Sequence, residues 1–351
     1  MENQQKKLDI RSLSLDDLKS KFNDMGEKSF RANQVYEWLW KKSVRNFDEM
    51  SNLSKDLREK LKTLFVINAI KINSSQFSND KTIKNTFMLH DTHLIEGVLI
   101  PTTERMTACV SSQVGCSLTC KFCATGYMDR KRNLNADEIY DQVVLIDQQA
   151  KENYGIPLSN IVYMGMGEPL LNYNNVLKSI EKLTAEDGLN MASKRITVST
   201  AGIAKMIKKL GDDEVKFNLA LSLHAANDQK RNEIMPINEQ NTLAALADAL
   251  KYYFAKTKNP VTYEYIIFNN FNDELKDAQE LAKFCKHVPC KVNIIEYNPI
   301  AFADFLNAKE DKTEIFANYL KRQGIITNIR RSRGKDIDAA CGQLAVKEEK
   351  S

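Results

Sequence analysis

The chain has 351 residues, 43% of them apolar and 27% charged, a globular composition with room for one large core or two domains, which sets aside disorder and membrane insertion. The net charge of +4 is too small at this length to imply nucleic acid by itself. The start, MENQQKKLDIRS, is polar and no apolar run approaches the roughly 18 residues of a spanning helix, so no signal peptide or anchor is visible and a cytoplasmic location is expected.

There is no internal repeat or low-complexity stretch, but the periodicity changes near residues 75, 101 and 336. Residues 1–75 are expected to form a small helical domain: Ser14 stands as an N-cap before Leu15, Asp16, Asp17 and Leu18, and Val35, Tyr36, Leu39 and Trp40 recur at helical spacing. That Trp and Tyr stripe reads as a core face rather than a base-stacking surface. Residues 76–101 form a connector, in which two β-rich runs between residues 82 and 100 flank the turn-like HDTH and predict a hairpin.

From 102 to 336, β-rich runs alternate with helical ones. The strands are expected at Met106 to Ser111, Ile161 to Met164, Arg195 to Ser199, Phe217 to Leu223, Val261 to Ile267, Val292 to Tyr297 and Ile325 to Ile329. Segments such as Ala136 to Gln149, Tyr173 to Leu183 and Leu243 to Phe254 have the length and period of crossover helices. Alternation of this kind predicts an α/β fold with parallel strands, a partial (β/α)6-type barrel short of the eight units of a complete TIM barrel. In such a fold the functional residues sit just after the strands. CSLTCKFC (116–123), GMGEP (165–169), TAG (200–202), SLH (222–224) and Asn298-Pro299 all fall there, along one open rim.

Seven cysteines in a reducing compartment are expected to be free, metal-bound or catalytic. Three of them, Cys116, Cys120 and Cys123, lie within eight positions of the loop after the first barrel strand. Structural zinc wants four closed ligands, and no neighbouring His or Cys supplies the fourth; Cys109, upstream on the predicted strand, is poorly placed for it. A four-iron cluster held by three thiolates instead leaves one iron open to a substrate or cofactor. The glycines of GMGEP permit close backbone approach beside such a cluster, and Glu168 can accept hydrogen bonds from an ammonium group.

CxxxCxxC followed by Gly-Glu after the next strand resembles the radical S-adenosylmethionine (SAM) enzymes over residues 102 to about 336. More closely, VSSQVGCSLTCKFCATG, MGMGEPLLNY, TVSTAG, LSLHA, EIMPIN, EYNP and DIDAACGQL stand in the order and spacing of the RlmN-type RNA adenine C2 methyltransferases, and this resemblance spans essentially the whole chain. It implies one [4Fe-4S] cluster per chain on Cys116, Cys120 and Cys123, with SAM chelating the fourth iron and contacted by Gly167, Glu168, Ser199, Ser222, Leu223, His224 and Asn298. It implies two SAM per turnover. One methylates Cys341, and the other yields a 5′-deoxyadenosyl radical that activates the S-methyl group for addition to adenine C2. Glu96 then matches the proton acceptor and Cys109 the thiol that releases the product, leaving a transient disulfide. Residues 337–351 are thus the segment that carries the methyl. Polar transfer fails at C2 because that carbon, between two ring nitrogens, is electron-poor. One departure is Asp129, where the family commonly has glycine.

The resemblance implies 23S rRNA and transfer RNA as substrates, an electron donor such as flavodoxin or ferredoxin, and a monomer. The helical N-terminal domain is then an RNA-binding accessory. Arg130, Lys131 and Arg132, with Lys321, Arg322, Arg330, Arg331, Arg333 and Lys335, are expected to flank the rim and meet phosphates. Taken alone, Glu96 would be a surface carboxylate of the hairpin, Cys109 a buried strand residue and His224 a satisfied strand-end histidine. Cys285 and Cys290 match nothing and are expected to be structural, and Lys347–Ser351 to be a frayed tail. Alternatives are a Cfr-like C8 methyltransferase, which keeps the cluster and loses the C2 product, and a non-catalytic Fe-S or zinc RNA-binding protein.

Overall fold

Ten strands make one continuous sheet, and their order across it is the order of the chain. The computed structural model describes residues 7–346, so the expected tail lies outside the described residues. Three antiparallel strands come first: β1 (Lys71–Phe77), β2 (Ile83–Met88) and β3 (Leu94–Pro101). Strand β3 pairs antiparallel with β4 (Met106–Cys109), and from there every pairing is parallel, through β5 (Asn160–Tyr163), β6 (Ile196–Thr200), β7 (Asn218–Ser222), β8 (Val261–Ile267), β9 (Cys290–Glu296) and β10 (Ile326–Arg330). Strands β10 and β1 are the free edges, so the six parallel pairings build an open (β/α)6 barrel. All seven residues of β8 are buried, as expected of a parallel strand covered on both faces.

The hairpin of β2 and β3 forms at the expected place, but it is not a separate connector, because β3 to β4 pairing joins it to the barrel sheet. Strand β1 straddles the expected boundary at residue 75, where no strand was expected. Its sequence, KINSSQF, is polar and almost entirely exposed, so no buried face imposed a period of two on it.

The crossover helices are α4 (Ala136–Tyr154), α5 (Tyr173–Thr184), α6 (Ala204–Asp212), α8 (Leu243–Thr257), α9 (Leu275–Phe284) and α10 (Glu310–Arg322), with a short α7 (Asp228–Ile234) before α8. Helix α4 starts on a capping box between Asn135 and Glu138 and stops at Gly155, whose φ of 68° ends the helix without a Cβ clash.

Ahead of the sheet lie α1 (Leu15–Asp24), α2 (Ser29–Trp40) and α3 (Lys55–Leu64). Ser14 caps α1, accepting from the Asp17 amide at 3.1 Å. The Trp and Tyr stripe of α2 is core: Trp40 is buried and meets Tyr140 of α4 edge-on at 5.2 Å. Buried Arg11 fixes the same contact, reaching Asp141 at 2.7 Å and Asp137 at 3.1 Å. The helical domain is therefore anchored on α4 through groups that water does not reach.

Candidate active site

The cysteine loop follows β4 and is folded by two glycines, Gly115 and Gly126, the second of which would set a Cβ 2.6 Å from the Cys120 carbonyl oxygen. Gly115 has φ +73°, and a Cβ there would lie 2.2 Å from the Asp129 carbonyl oxygen. Asp129 itself keeps a negative φ, so the residue that departs from the family's glycine needs no left-handed conformation. The C-terminal segment lies across this loop: the Ala124 amide donates to Gly342 O at 2.7 Å and Thr125 Oγ1 to Leu344 O at 2.6 Å.

Cys116, Cys120 and Cys123 line one cavity at the rim. Burial raises all three thiols, Cys116 to about 11 and Cys120 further, where the charges of Cys123 and Cys116 add to the burial. Three crowded thiols are stable as thiolates only around a cation. Among the described residues no three His, Cys, Asp or Glu side chains converge on a point that would hold a single ion. Three thiols spread around a cavity fit the donor set of an iron-sulfur cluster.

Gly167 and Glu168 line the same cavity after β5. Gly167 has φ +95° and its missing Cβ would meet Gln113 at 2.5 Å, so only glycine lets this loop close on its neighbour. Glu168 is buried, with Oε1 accepting from the Leu170 amide at 3.0 Å and Oε2 from the Ala201 amide at 2.7 Å. Burial raises its pKa, opposed by the bonds from Ala201, Thr200 and Leu170. The carboxylate is thereby aimed and still has lone pairs for a ligand ammonium.

Ser199 and Ser222, from β6 and β7, face each other at 3.2 Å. His224 has φ +54°, an uncommon left-handed conformation for histidine. Its Nδ1 accepts from the Ile266 amide at 3.0 Å, which places the neutral ring's proton on Nε2. Burial, with Arg231 nearby, pulls its pKa down to about 3, so the ring is neutral throughout the physiological range. Asn298 donates from Nδ2 to Cys341 O at 3.2 Å, and its buried Oδ1 has no partner within the protein, an acceptor free for a ligand. Neither Asn298 nor Leu223 lines the cavity; the Leu223 side chain is fully buried in the core, and its amide and carbonyl bond to Glu264 O and Arg231 Nε.

Cys109 ends β4 and Cys341 sits on the C-terminal segment, yet the two line one cavity together with Arg330, and Cys341 and Arg330 also face the cavity of the cysteine triplet. Burial and the charge of Cys341 push the Cys109 thiol up to about 12, while Arg330 acts in the opposite sense on both thiols. Glu96 is buried rather than at the surface. It accepts from the Ala345 amide at 2.9 Å, beside Lys84 at 3.6 Å, and burial is the main cause of its raised pKa. It lies under the C-terminal segment and does not line either cavity.

Two residues of the site, Glu264 and Arg231, carry no sequence signal, and a third, Arg330, reads in the sequence only as part of a basic patch. Glu264 and Arg330 line the cavity and approach each other at 3.4 Å. Arg231, fully buried on α7, donates to Ala201 O at 2.6 Å, Asn238 Oδ1 at 2.7 Å, Leu223 O at 3.0 Å and Ser222 O at 3.2 Å, tying together the loops after β6 and β7. Several charges of the basic patches have partners within the protein. Arg330 faces the cavity interior; Arg331 and Lys335 pair with Glu296, Arg333 with Asp80, and Arg132 with Asp91 and Glu138.

Residues 8–67 match the family of the ribosomal RNA large subunit methyltransferase N-terminal domain, and residues 110–284 the radical SAM superfamily. The chain is 65% identical over 345 residues to a protein of Cytophaga hutchinsonii named probable dual-specificity RNA methyltransferase RlmN, covering 98% of this chain and 94% of that one. A Bacillus subtilis protein of the same name is 43% identical over 339 residues, covering 97% and 93%. The crystal structure of a radical SAM methyltransferase from Sphaerobacter thermophilus superposes with a TM-score of 0.92 at 37% identity, over 97% of this chain and 100% of that one.

Proposed function

The chain belongs to the RlmN family of radical SAM RNA methyltransferases, and from that premise we propose that it places a methyl group on C2 of an adenosine, with Cys341 as the methyl carrier. The substrates are the peptidyl-transferase centre of 23S rRNA and the adenosine just 3′ of the anticodon in some transfer RNAs. The observation that carries the reading is the meeting of Cys109 and Cys341, distant in sequence, in one cavity beside the cysteine triplet.

Cys116, Cys120 and Cys123 hold the [4Fe-4S] cluster, which when bound supplies the electron that splits the sulfonium of SAM and so furnishes a 5′-deoxyadenosyl radical. The protein's own groups do the rest. Glu168, Ser199, Ser222, His224 and the free Oδ1 of Asn298 orient the methionine and ribose parts of SAM. Cys341, between Ala340 and Gly342 with φ +84°, accepts a methyl group as its thiolate and presents it to the base. Cys341 is exposed, and the Arg330 guanidinium favours its thiolate. Once the methylene carbon is bonded to C2, the adduct holds one unpaired electron, which the cluster when bound would take back, and Glu96 removes the C2 proton; burial raises its pKa and so strengthens it as a base. For this the base displaces the Ala345 amide from the carboxylate. The Cys109 thiolate then attacks the Cys341 sulfur. The C–S bond breaks with its electron pair left on the methylene carbon, which takes up a proton and leaves on the RNA as the methyl group. The disulfide that remains is reset by two electrons from a reductant such as flavodoxin or ferredoxin. The enzyme acts as a monomer in the cytoplasm.

The test is mass spectrometry of nucleosides from protein-free large-subunit RNA and from transfer RNA treated with reconstituted enzyme. It should find 2-methyladenosine in both. A Cys109→Ala variant should accumulate a covalent protein–RNA adduct and Cys341→Ala none. Only 8-methyladenosine, or normal turnover by both variants, overturns the assignment.

A further inference from the structure

Two exposed aromatic rings stand on segments that adjoin this site: Tyr127 follows Thr125 and Gly126, which line its cavity, and Phe302 follows Asn298. Tyr127, 47% exposed, comes from the loop that follows the cluster cysteines, and Phe302, 63% exposed, from the segment between β9 and α10. Their rings are stacked with centroids 5.1 Å apart and planes 29° from parallel. Both are held in place. The Tyr127 hydroxyl donates to Lys121 O at 3.1 Å, and Phe305, three residues after Phe302, packs inward on Phe268 at 4.7 Å. The segment of Phe302 is also bonded to the methyl carrier's own segment: Gln343 Nε2 donates to Pro299 O at 3.1 Å and Asn298 Nδ2 to Cys341 O at 3.2 Å.

The stack is not a core contact, since both rings keep large areas in water, a cost that burial against a further flat apolar surface would remove. The surrounding charge selects the kind of surface. Lys121, Arg130, Lys131 and Lys309 are exposed on the two loops, against Asp129 and Asp304. Arg130 donates to the neutral Asn133 at 3.4 Å, and Lys131 reaches Asp129 at 4.0 Å, the limit of an ion pair. A π face rimmed by loosely held cations matches a nucleobase and its phosphates.

We propose that Tyr127 and Phe302 form a platform on which an RNA base flanking the target adenosine stacks, with Lys121, Arg130 and Lys131 meeting the adjoining phosphates. The proposal rests on the RNA-methyltransferase reading above. Flipping an adenosine out of a folded RNA leaves its neighbours unstacked, and a platform beside Cys341 compensates that loss.

The test measures binding of reconstituted full-length enzyme to a fluorescein-labelled stem-loop RNA with an adenosine-bearing loop, by anisotropy. Tyr127→Ala and Phe302→Ala should each raise Kd by about 5- to 100-fold, the range for losing one base–aromatic stack. Phe302→Trp should bind like the parent, and its added indole emission should be quenched by the RNA. If the parent binds and both alanine variants bind within about twofold of it, the platform is wrong and the activity reading stands. If the parent binds neither this RNA nor large-subunit RNA, the activity reading falls and takes the platform with it. A concentration-dependent dimer in sedimentation that Phe302→Ala dissolves would assign the patch to a second copy of the chain and overturn the proposal.

Discussion

Replacing Arg231 with methionine keeps most of the stem's volume and removes four hydrogen bonds at once, to Ala201 O, Asn238 Oδ1, Leu223 O and Ser222 O. Methionine also spares the desolvation of the guanidinium, which already pulls the Arg231 pKa down to about 10, so stranded acceptors rather than lost charge set the effect. Each buried acceptor left unpaired costs about 1–3 kcal/mol, and since neighbours in one network do not add fully, a total of about 3–5 kcal/mol is expected. At about 2–4 °C per kcal/mol this is a fall in Tm on the order of 10 °C. Arg231→Lys, which keeps the charge but not the planar fork, should lose roughly half as much. Urea and thermal unfolding of the metal-free protein measure both. SAM binding should weaken in parallel, because the clamped loops carry Ala201, the partner of Glu168, and Ser222. A methionine variant within about 1 kcal/mol of the parent would refute the clamp.

Gly167→Ala forces a Cβ to within 2.5 Å of Gln113 at a φ of +95°; calorimetry should show SAM affinity reduced at least tenfold, with little change in RNA affinity. Cys120→Ala should lose the broad visible absorbance of the reconstituted protein, and its iron content should fall from about four per chain. Asp137 and Asp141 share the single guanidinium of Arg11, and Asp141 holds the shorter contact. Burial therefore dominates at Asp137, whose pKa rises from 3.8 to about 7. The folded state keeps a proton that the unfolded state releases, so this group's contribution is complete below pH 3.8 and is lost as pH rises to about 7. Asp137→Asn should flatten that part of the stability–pH curve, and a variant with an unchanged slope would refute the assignment.

Local spacing made the strand ends, the cysteine triplet and the GMGEP loop legible, because each is set by residues within a few positions of one another. What sequence hid depends on distant partners. Glu96 reads as exposed until the Ala345 amide closes over it, and the pairing of Arg331 and Lys335 with Glu296 has no mark in the residues around them. Arg231 sits in an ordinary polar helix, and nothing in DQKRNEI announces that three of its bonds go to carbonyls on other loops. Strand β1 was missed because an exposed, polar edge strand has no hydrophobic period to read.

Because the ten strands lie in the sheet in the order in which they are translated, each can add to the growing edge as it leaves the ribosome, with no earlier strand waiting for a later one to be inserted. Cys341 comes after all of them. Nascent chains that already own a folded sheet and the cysteine triplet therefore still lack the thiol proposed as methyl acceptor, and on that proposal synthesis halted before residue 341 gives a product unable to start a catalytic cycle.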